Sequence, residues 1–339
     1  MSEQVCKADM DGDGAAVDIC GYPVETTGNP VLDILEHRSS TRAFARDDSD
    51  RPVAVTDEQR AAILHAASRA PSAGAMMMYS IVSIREQATL DRLADLCDHQ
   101  PMIAKAPWAL IFVVDYAKWI DLFEHVGCFE PEFVERTGKA PRRAPGLGDF
   151  AIAAQDAVIA AQNAVVAAEA LGLGSCYIGD IVENAEEVAE LLDLPPYTMP
   201  LSMLIIGMPR KERPAIAHPV VNLVHEERYC RADAATMDAQ VAEMDTMFRP
   251  HAREVGERVV DIYTRKHTSP FMAEHELLRH ASDAAVAGNE RLGYIHRAGA
   301  DIAVHHAQRD EHRRDAHRNR SVRGCLLDLL FHKPVSSQL

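Results

Sequence analysis

Two arginines near the start of the predicted folded region are spaced to bind an anionic, polar ligand. Arg38 and Arg42 flank Ser39, Ser40 and Thr41, so one short segment carries two guanidinium groups and three hydroxyls. Guanidinium groups bind phosphate through charge-assisted hydrogen bonds that contribute about 1.5–3 kcal/mol each. The segment can therefore bind a phosphate and a sugar and leave a second cation for the edge of a ring. Because loops rich in arginine and serine are common, the segment alone is a weak indication.

A turn of small residues follows further along the chain. The segment from Ala70 to Tyr79 combines a proline, small side chains and three consecutive methionines. Small side chains allow the backbone to approach a flat ligand, and methionine packs well on polarizable rings. A turn that only leads into a core strand is an equally good interpretation. The candidate ligand-contacting residues here are Pro71, Ser72, Ala73, Gly74 and Ala75.

Other familiar catalytic patterns are absent from the sequence. It contains no serine-nucleophile elbow, no Walker phosphate loop, no dinucleotide-binding glycine motif and no H-E-x-x-H metal motif. Gly172 and Gly174 follow a predicted helix instead of opening one, which indicates a helix end. If the protein is an enzyme, a bound cofactor is expected to supply the chemistry.

Two patterns resemble metal sites but lack ligands. Asp9, Asp11 and Asp13 match the start of a calcium-binding loop, but Cys20 stands where a glutamate should close it, so an acidic tail is the better interpretation. The histidines between residues 275 and 318 have no cysteine or glutamate partner that would complete a site. We therefore predict no metal ion.

Composition limits the partners. The 339 residues carry a formal net charge of −16, and such an acidic chain repels nucleic-acid backbones and anionic lipid surfaces. The seven cysteines are odd in number and form no C-x-x-C pair, which is typical of reduced thiols. Residues 1–13 lack the basic and apolar stretches of a secretory signal. We expect a cytoplasmic protein without nucleic-acid or membrane partners.

The hydrophobic pattern predicts the elements that position the candidate residues. A proline after Asn29 predicts a short helix that ends near Arg38, and a capping box at Thr56 predicts a second helix that ends before Pro71. The segment between residues 115 and 148 is polar and is expected to be a lid or binding flap. The remaining predicted elements are a helix near residues 87–97, strands over residues 80–84, 109–114, 175–178 and 201–206, and a helical arm over residues 244–262.

Residues 151–171 predict an unusual helix. They are mostly alanine, valine, isoleucine and leucine, with polar residues recurring every seven positions. Such a helix has one narrow polar stripe and is expected to be buried nearly all round. A membrane span is the alternative, but the polar positions and the alanine content favour a core or subunit-interface helix.

These patterns divide the chain into five parts. We predict a flexible leader (1–28), a ligand-binding domain (29–229), a C-terminal helical arm (230–274), a segment rich in histidine and arginine (275–318) and a tail (319–339). The fourth part separates residues 271–274 from residues 319–322, which resemble two halves of one closing helix found in some members of the family described next. It is therefore either an insertion or the product of an altered reading frame.

Four segments in order resemble the nitroreductase family of FMN-dependent flavoproteins. The resemblance covers residues 30–229, and its specificity comes from the order of the four segments. They are Arg38-Ser39-Ser40-x-Arg42-x-Phe44, then Ala70-Pro71-Ser72-Ala73-Gly74, then Ala160-Ala161-Gln162-Asn163 with Gly172-Leu173-Gly174-Ser175-Cys176-Tyr177-Ile178-Gly179-Asp180, and then Leu204-Ile205-Ile206-Gly207-Met208-Pro209 before Arg213-Pro214.

The resemblance implies an α+β, nitroreductase-like fold. A central, mainly antiparallel sheet would be wrapped by helices in an intertwined homodimer, with one FMN in each of two interfacial clefts. Arg38, Ser39 and Ser40 would hold the phosphate and the ribityl chain, and Arg42 would face the pyrimidine edge of the flavin. The other implied cofactor-binding residues are Pro71, Ser72, Ala73, Gly74 and Ala75 from the other subunit, Ile178 and Gly179 beside the reactive face, and Arg213 near the phosphate.

The chain departs from the family at two of these positions. Members commonly have an amide side chain where this chain has Ala75, and a basic pair near the phosphate, whereas Arg213 has no second arginine or lysine in the five residues after it.

The implied activity is that of an NAD(P)H-dependent FMN oxidoreductase without a catalytic side chain. NADH or NADPH and a small flat acceptor, such as a nitroaromatic or a quinone, would use the same ring face in turn, with ping-pong kinetics. The alternatives are a flavin-binding protein with decayed catalysis, a flavin reductase or reductive dehalogenase on the same scaffold, and a dimer without cofactor.

Overall fold

A four-stranded antiparallel sheet forms the centre of the fold. The computed structural model describes residues 28–139, 142–211, 223–248 and 255–268, all within the first of two compact units of the chain, residues 1–290. The leader, the 275–318 segment, the tail, the candidate metal patterns and Arg213 lie outside the described residues.

All four predicted strands are present. They are β1 (Tyr79–Ile84), β2 (Trp108–Asp115), β3 (Gly174–Ile178) and β4 (Thr198–Gly207), and their order across the sheet is β1-β2-β4-β3. Every residue of β2 is buried. The central position of β2 explains its continuous apolar sequence, because a strand covered on both faces has no solvent side. β1 and β3 are the outer strands of this sheet.

Ten α-helices surround the sheet in the described part of the chain. Their bounds are α1 (Pro30–His37), α2 (Asp57–Ser68), α3 (Gln87–Leu96), α4 (Pro101–Ala104), α5 (Ala117–His125), α6 (Pro131–Thr137), α7 (Leu147–Ala170), α8 (Ala185–Leu191), α9 (Ala234–Phe248) and α10 (Glu257–Ile262). The capping predictions at α1 and α2 are confirmed: Asn29 Oδ1 accepts hydrogen bonds from the backbone of α1, and Thr56 and Gln59 form the capping box of α2.

Two helices that were not predicted from the sequence, α5 and α6, lie within the segment predicted to be a lid. One further prediction differs from the structure. The C-terminal arm is not one helix over residues 244–262, because α9 begins at Ala234 and α10 begins after Gly256, whose φ of 82° is left-handed.

The helix α7 packs its alanine face on one side of the sheet. Ala157, Ala160, Ala161 and Ala164 are fully buried in a cluster that includes Trp108 of β2. Alanine has the smallest side chain that favours a helix, so this face brings the helix backbone close to the sheet. A second cluster on the other side of the sheet contains side chains of α3, α4 and α8. The sheet therefore lies between two layers of helices.

The opposite face of α7 is exposed in the single chain. Ile152, Val158 and Ile159 are exposed. A single chain therefore does not bury this helix on nearly all sides, contrary to the prediction from the sequence. In the described residues, α7 is also the one helix long and apolar enough to cross a membrane by length and composition. Because the alanine face of α7 is buried against the sheet, α7 packs as a core helix does.

The end of β4 requires a glycine. A Cβ atom on Gly207 would lie 2.7 Å from Phe44 Cδ1 and 2.7 Å from Cδ and Cγ of Pro107. Phe44 forms an isolated antiparallel bridge with Pro209. The missing side chain thus allows the segment after Arg42 to close over the end of the sheet.

We expect Gly207→Ala to destabilise the protein by about 1–3 kcal/mol, because a methyl group must displace two packed rings. Gly148→Ala is the matched control. A methyl group added at Gly148, in the first turn of α7, would have no other atom within 4 Å, and alanine favours helices by up to about 1 kcal/mol over glycine. Urea denaturation of both variants tests the prediction, which is wrong if the two substitutions have the same effect.

Candidate active site

The segment from Arg38 to Arg42, called the arginine segment below, lies along the outer edge of β3. The Thr41 N–H donates to Ser175 O at 2.8 Å, and the Ala45 N–H donates to Met208 O at 2.8 Å. Arg38 caps the end of α1 in an extended conformation, so the chain leaves the helix directly onto the sheet edge. Hydrogen bonding to β3 thereby fixes the backbone of the residues predicted to hold a phosphate.

Arg38 and its neighbours are placed to receive a polar ligand. Nε of Arg38 is buried, as is Oγ1 of Thr41, and neither atom has a hydrogen-bond partner among the described residues. Ser39 is only 6% exposed, and Ser40 is half-buried. Buried polar atoms are normally hydrogen-bonded, so an unpartnered guanidinium N–H beside two serines fits a bound anion such as the phosphate of FMN.

Tyr177 on β3 adjoins this cluster. Burial raises the pKa of Tyr177 to about 12, while the positive charge of Arg38 acts in the opposite direction. Its hydroxyl donates to Gln162 Oε1 of α7 at 3.3 Å. Tyr177 is not among the predicted cofactor-binding residues, although it stands directly before Ile178 and Gly179. Ile178 is buried and Gly179 is exposed at the end of β3.

Arg42 differs from Arg38 because its side chain is exposed. In the described part of the chain it forms no ion pair and no hydrogen bond through its guanidinium group. Its positive charge is therefore available to a ligand outside the β3 edge.

The small-residue turn has a costly backbone conformation. A short 3-10 turn spans Ala73–Ala75, and Gly74, Ala75 and Met77 have φ values of 59°, 56° and 46°. The left-handed conformation costs a residue with a side chain about 1–2 kcal/mol. Pro71, Ala73, Gly74 and Ala75 are exposed, and Ser72 is half-buried. The turn therefore combines an exposed surface with a strained backbone, and other side chains must hold it in place.

Three side chains hold this turn. Asp156 of α7 accepts hydrogen bonds from the backbone N–H groups of Ala73 and Met78, at 3.0 and 3.3 Å. Ser72 Oγ accepts from Met77 N–H at 3.0 Å, and Trp119 Nε1 donates to Met76 O at 2.8 Å. From the sequence, Asp156 is only a member of the polar stripe of α7. No local pattern in the sequence indicates its contact with the turn, because Asp156 directly follows Gln155 in the same polar stripe.

The two predicted halves of the site lie at opposite edges of the sheet. The turn leads into β1, whereas the arginine segment, Ile178 and Gly179 adjoin β3. Three strand spacings of about 4.8 Å separate the outer strands by about 14 Å. One chain therefore brings Arg38, Ser39 and Ser40 close to the end of β3, but it does not bring the turn onto the same edge.

The segment between β2 and α7 carries a row of aromatic rings. Ring centroids of Trp119 and Phe123 are 5.6 Å apart, and those of Phe123 and Phe129 are 6.2 Å apart. Arg142 stacks over Phe129 at 5.2 Å. Because Trp119 also binds the turn, this row begins at the candidate site.

A salt bridge anchors the end of that segment to α7. Arg143 donates two hydrogen bonds to Asp149, at 2.6 and 2.8 Å, and Gly146 N–H donates to the same carboxylate at 2.8 Å. The hydrogen bonds from Arg143 hold the pKa of Asp149 below its usual range, although burial opposes the shift.

Solved structures share this architecture. The structure of NfrA2 from B. megaterium is 27% identical, with a TM-score of 0.58, and the match covers 70% of this chain and 92% of that one. The NADPH:FMN oxidoreductase from Vibrio harveyi complexed with NAD+ is 25% identical, with a TM-score of 0.56, over 72% of this chain and 97% of that one. The chain therefore has the α+β fold of these structures.

Sequence comparison identifies the family. The profile of the nitroreductase family matches residues 35–208. The FMN reductase [NAD(P)H] of Bacillus subtilis is 32% identical over 215 residues, which cover 62% of this chain and 79% of the relative. The oxygen-insensitive NADPH nitroreductase of Salmonella typhimurium is 32% identical over 221 residues, covering 63% and 82%. The chain belongs to the nitroreductase family, and the family and fold inferred from the four sequence segments are confirmed.

We expect Asp149→Asn to lower stability by about 1 kcal/mol near neutral pH, because it removes a two-bond ion pair. A carboxyl group whose folded-state pKa is depressed stabilises the fold above its unfolded pKa of about 3.9, and this contribution disappears as the pH falls through the folded-state value. The difference in unfolding free energy between parent and variant should therefore shrink as the pH falls below about 4.

The control for this measurement is Asp50→Asn. Asp50 is paired with Arg46 but its side chain is 87% exposed, so its replacement should change stability by less than about 0.5 kcal/mol. Urea denaturation at pH 7, 5 and 3 provides the comparison. A pH-independent loss in the Asp149 variant contradicts the assigned ion pair.

Proposed function

We propose that the protein is an FMN-dependent oxidoreductase that oxidises NADH or NADPH and reduces small flat acceptors such as nitroaromatics and quinones. The observation that carries the proposal is the buried, unpartnered Nε of Arg38 beside Ser39, in a chain whose relatives include FMN reductases and nitroreductases.

In this proposal the β3 edge holds the polar half of FMN. Arg38 donates to the phosphate, and Ser39 and Ser40 bind the phosphate or the ribityl hydroxyls. Arg213, from its position in the sequence, adds a second cation. Charge-assisted bonds to buried donors are stronger than bonds between neutral groups, so Arg38 is expected to contribute most to affinity.

Arg42 stabilises the charge that reduction creates. Bound FMN supplies two-electron redox chemistry, and reduction leaves negative charge at the pyrimidine edge of its ring. A fixed cation in a cleft with little water favours that charge. Because this stabilisation is electrostatic, no side chain needs to act as acid or base, and protons can come from solvent.

The ring is enclosed by a second copy of the chain. The turn from Pro71 to Ala75 of the partner packs on the ring, while Ile178 and Gly179 lie beside its reactive face. A homodimer also gives a role to the exposed apolar side chains on α1 and α7, namely Val31, Leu32, Leu35, Val158 and Ile159. Donor and acceptor use the remaining open face in turn, which gives ping-pong kinetics.

A second candidate function is flavin reduction, in which free flavin is the acceptor. Names of relatives favour it, since the Bacillus subtilis protein is an FMN reductase and the Vibrio harveyi protein is an NADPH-flavin oxidoreductase. We propose that the aromatic row beginning at Trp119 distinguishes flavins from smaller acceptors. The acidic charge and the lack of a C-x-x-C cysteine motif in the sequence fit a cytoplasmic location.

The enzyme assignment is tested by anaerobic titration of the purified protein with NADH and NADPH. We expect the protein to bind FMN and the bound flavin to lose its visible absorption at once. An inert bound flavin favours a flavin-binding protein with decayed catalysis, for which Ala75 and the lack of a basic partner next to Arg213 give a reason. A protein that stays colourless after incubation with FMN contradicts the proposal.

We expect Arg42→Ala to slow flavin reduction about tenfold or more, because loss of a charge-assisted interaction is worth about 1.5–3 kcal/mol. Dimerisation should remain unchanged, since the role of Arg42 is electrostatic. Stopped-flow reduction and analytical ultracentrifugation measure the two quantities. Arg46→Ala is a suitable control, because Arg46 pairs with Asp50 in an exposed loop. Equal reduction rates in parent and Arg42 variant contradict the assigned role.

A further inference from the structure

The turn that precedes β1 depends on groups outside its own sequence. Gly74, Ala75 and Met77 all have left-handed φ values. Strained backbone persists only where surrounding structure fixes it, and such strain is concentrated at functional sites. The surface of this turn is exposed, so holding it in place adds little to the hydrophobic core.

Asp156 fixes both ends of the turn with one carboxylate. Asp156 is only 2% exposed. Its Oδ1 accepts from Ala73 N–H at 3.0 Å and its Oδ2 accepts from Met78 N–H at 3.3 Å. Since Asp156 projects from a helix packed on the sheet, these bonds tie the turn to the most rigid part of the domain.

A lysine compensates the buried charge of Asp156. Burial lowers the pKa of Lys118, and the negative charges of Asp115 and Asp156 oppose that shift. Lys118 Nζ donates to Tyr79 O at 2.5 Å, directly after the turn. The two backbone N–H donors and the positive charge of Lys118 offset part of the cost of burying the carboxylate of Asp156.

Trp119 holds the middle of the turn. Its Nε1–H donates to Met76 O at 2.8 Å. Asp156 and Trp119 come from different helices, α7 and α5, and they bind different parts of the same six-residue backbone segment. The turn is therefore held from two directions.

We propose that Asp156 is a positioning residue for the flavin, with Trp119 as the second anchor: together they fix the backbone of the turn in the conformation that packs on the ring. This inference rests on the proposed function, because it requires the turn to contact FMN. Neither side chain touches the reacting atoms, and each acts through the backbone of the turn.

The main test is Asp156→Asn. Asparagine has the same shape but only one acceptor oxygen, so its NH2 group must face one of the two backbone N–H donors. We expect the Kd for FMN to rise about tenfold or more, with a shift in the visible absorption of bound FMN. In the FMN-free protein, amide hydrogen exchange in the turn should accelerate.

The matched control is Val165→Ala, on the same helix. Val165 is buried in the core cluster beneath α7, away from the turn, and its truncation lowers stability through a cavity. We expect the control to keep its FMN Kd within about twofold of the parent, and to keep slow exchange in the turn. If Asp156 has a purely structural role, Asp156→Asn and Val165→Ala should have the same Kd for FMN whenever they lose the same amount of stability.

A second variant tests the same inference if Asp156→Asn does not fold. Trp119→Phe keeps an aromatic ring and removes only the N–H donor to Met76 O. We expect weaker FMN binding by about threefold or more and faster exchange in the turn.

The outcomes separate the two proposals. If the parent binds FMN and both variants bind it equally well, the positioning role is wrong and the proposed function stands. If the parent itself does not bind FMN, the proposed function fails and the inference fails with it. Weaker binding in Asp156→Asn or Trp119→Phe, but not in Val165→Ala, supports the inference.

Discussion

The packing of α7 against the sheet is the contact on which the rest of the structure depends. Its alanine face brings the helix close to β2 and β4, and three of its polar side chains each contact a different element. Asp156 holds the turn before β1, Asn163 Nδ2 donates to Ala66 O of α2 at 3.1 Å, and Gln162 accepts from Tyr177 on β3. A shift of this one helix would therefore disturb both halves of the candidate site at once.

The width of the sheet explains why the proposed site needs two chains. The arginine segment is hydrogen-bonded to one outer strand and the turn leads into the other, so no small movement within a chain brings them together. The proposed dimer would solve this geometric problem by placing the turn of one chain against the β3 edge of the other. The exposed apolar face of α7 gives such a dimer a hydrophobic surface to bury, which is the main source of association energy between subunits.

The fold could be predicted from the sequence more completely than the contacts that hold the candidate site in place. All four strands were predicted because β-branched and aliphatic runs of strand length are distinctive, and the caps of α1 and α2 were predicted because they depend on neighbouring residues. The helices α5 and α6 were not predicted because the proline, arginine and glycine content of residues 115–148 indicated a polar flap, although α5 has an apolar side that buries Ala117 and Ile120. The role of Asp156 was missed for a different reason: its partners, Ala73 and Met78, are about eighty residues away in the sequence, and no local pattern reports such a contact.

Ala75 shows how a departure from the family pattern can be interpreted physically. Its φ of 56° lies in the left-handed region, where asparagine is favoured over alanine because its side chain tolerates that conformation. An amide at this position would therefore both relieve backbone strain and offer hydrogen bonds to the flavin edge. With alanine the chain keeps the strained backbone and loses the bonds, so the conformation of the turn is maintained by its anchors and not by the residue itself. The turn is consequently held in place by Asp156, Ser72 and Trp119, and under the proposed function these side chains would determine the surface that the turn offers to the flavin.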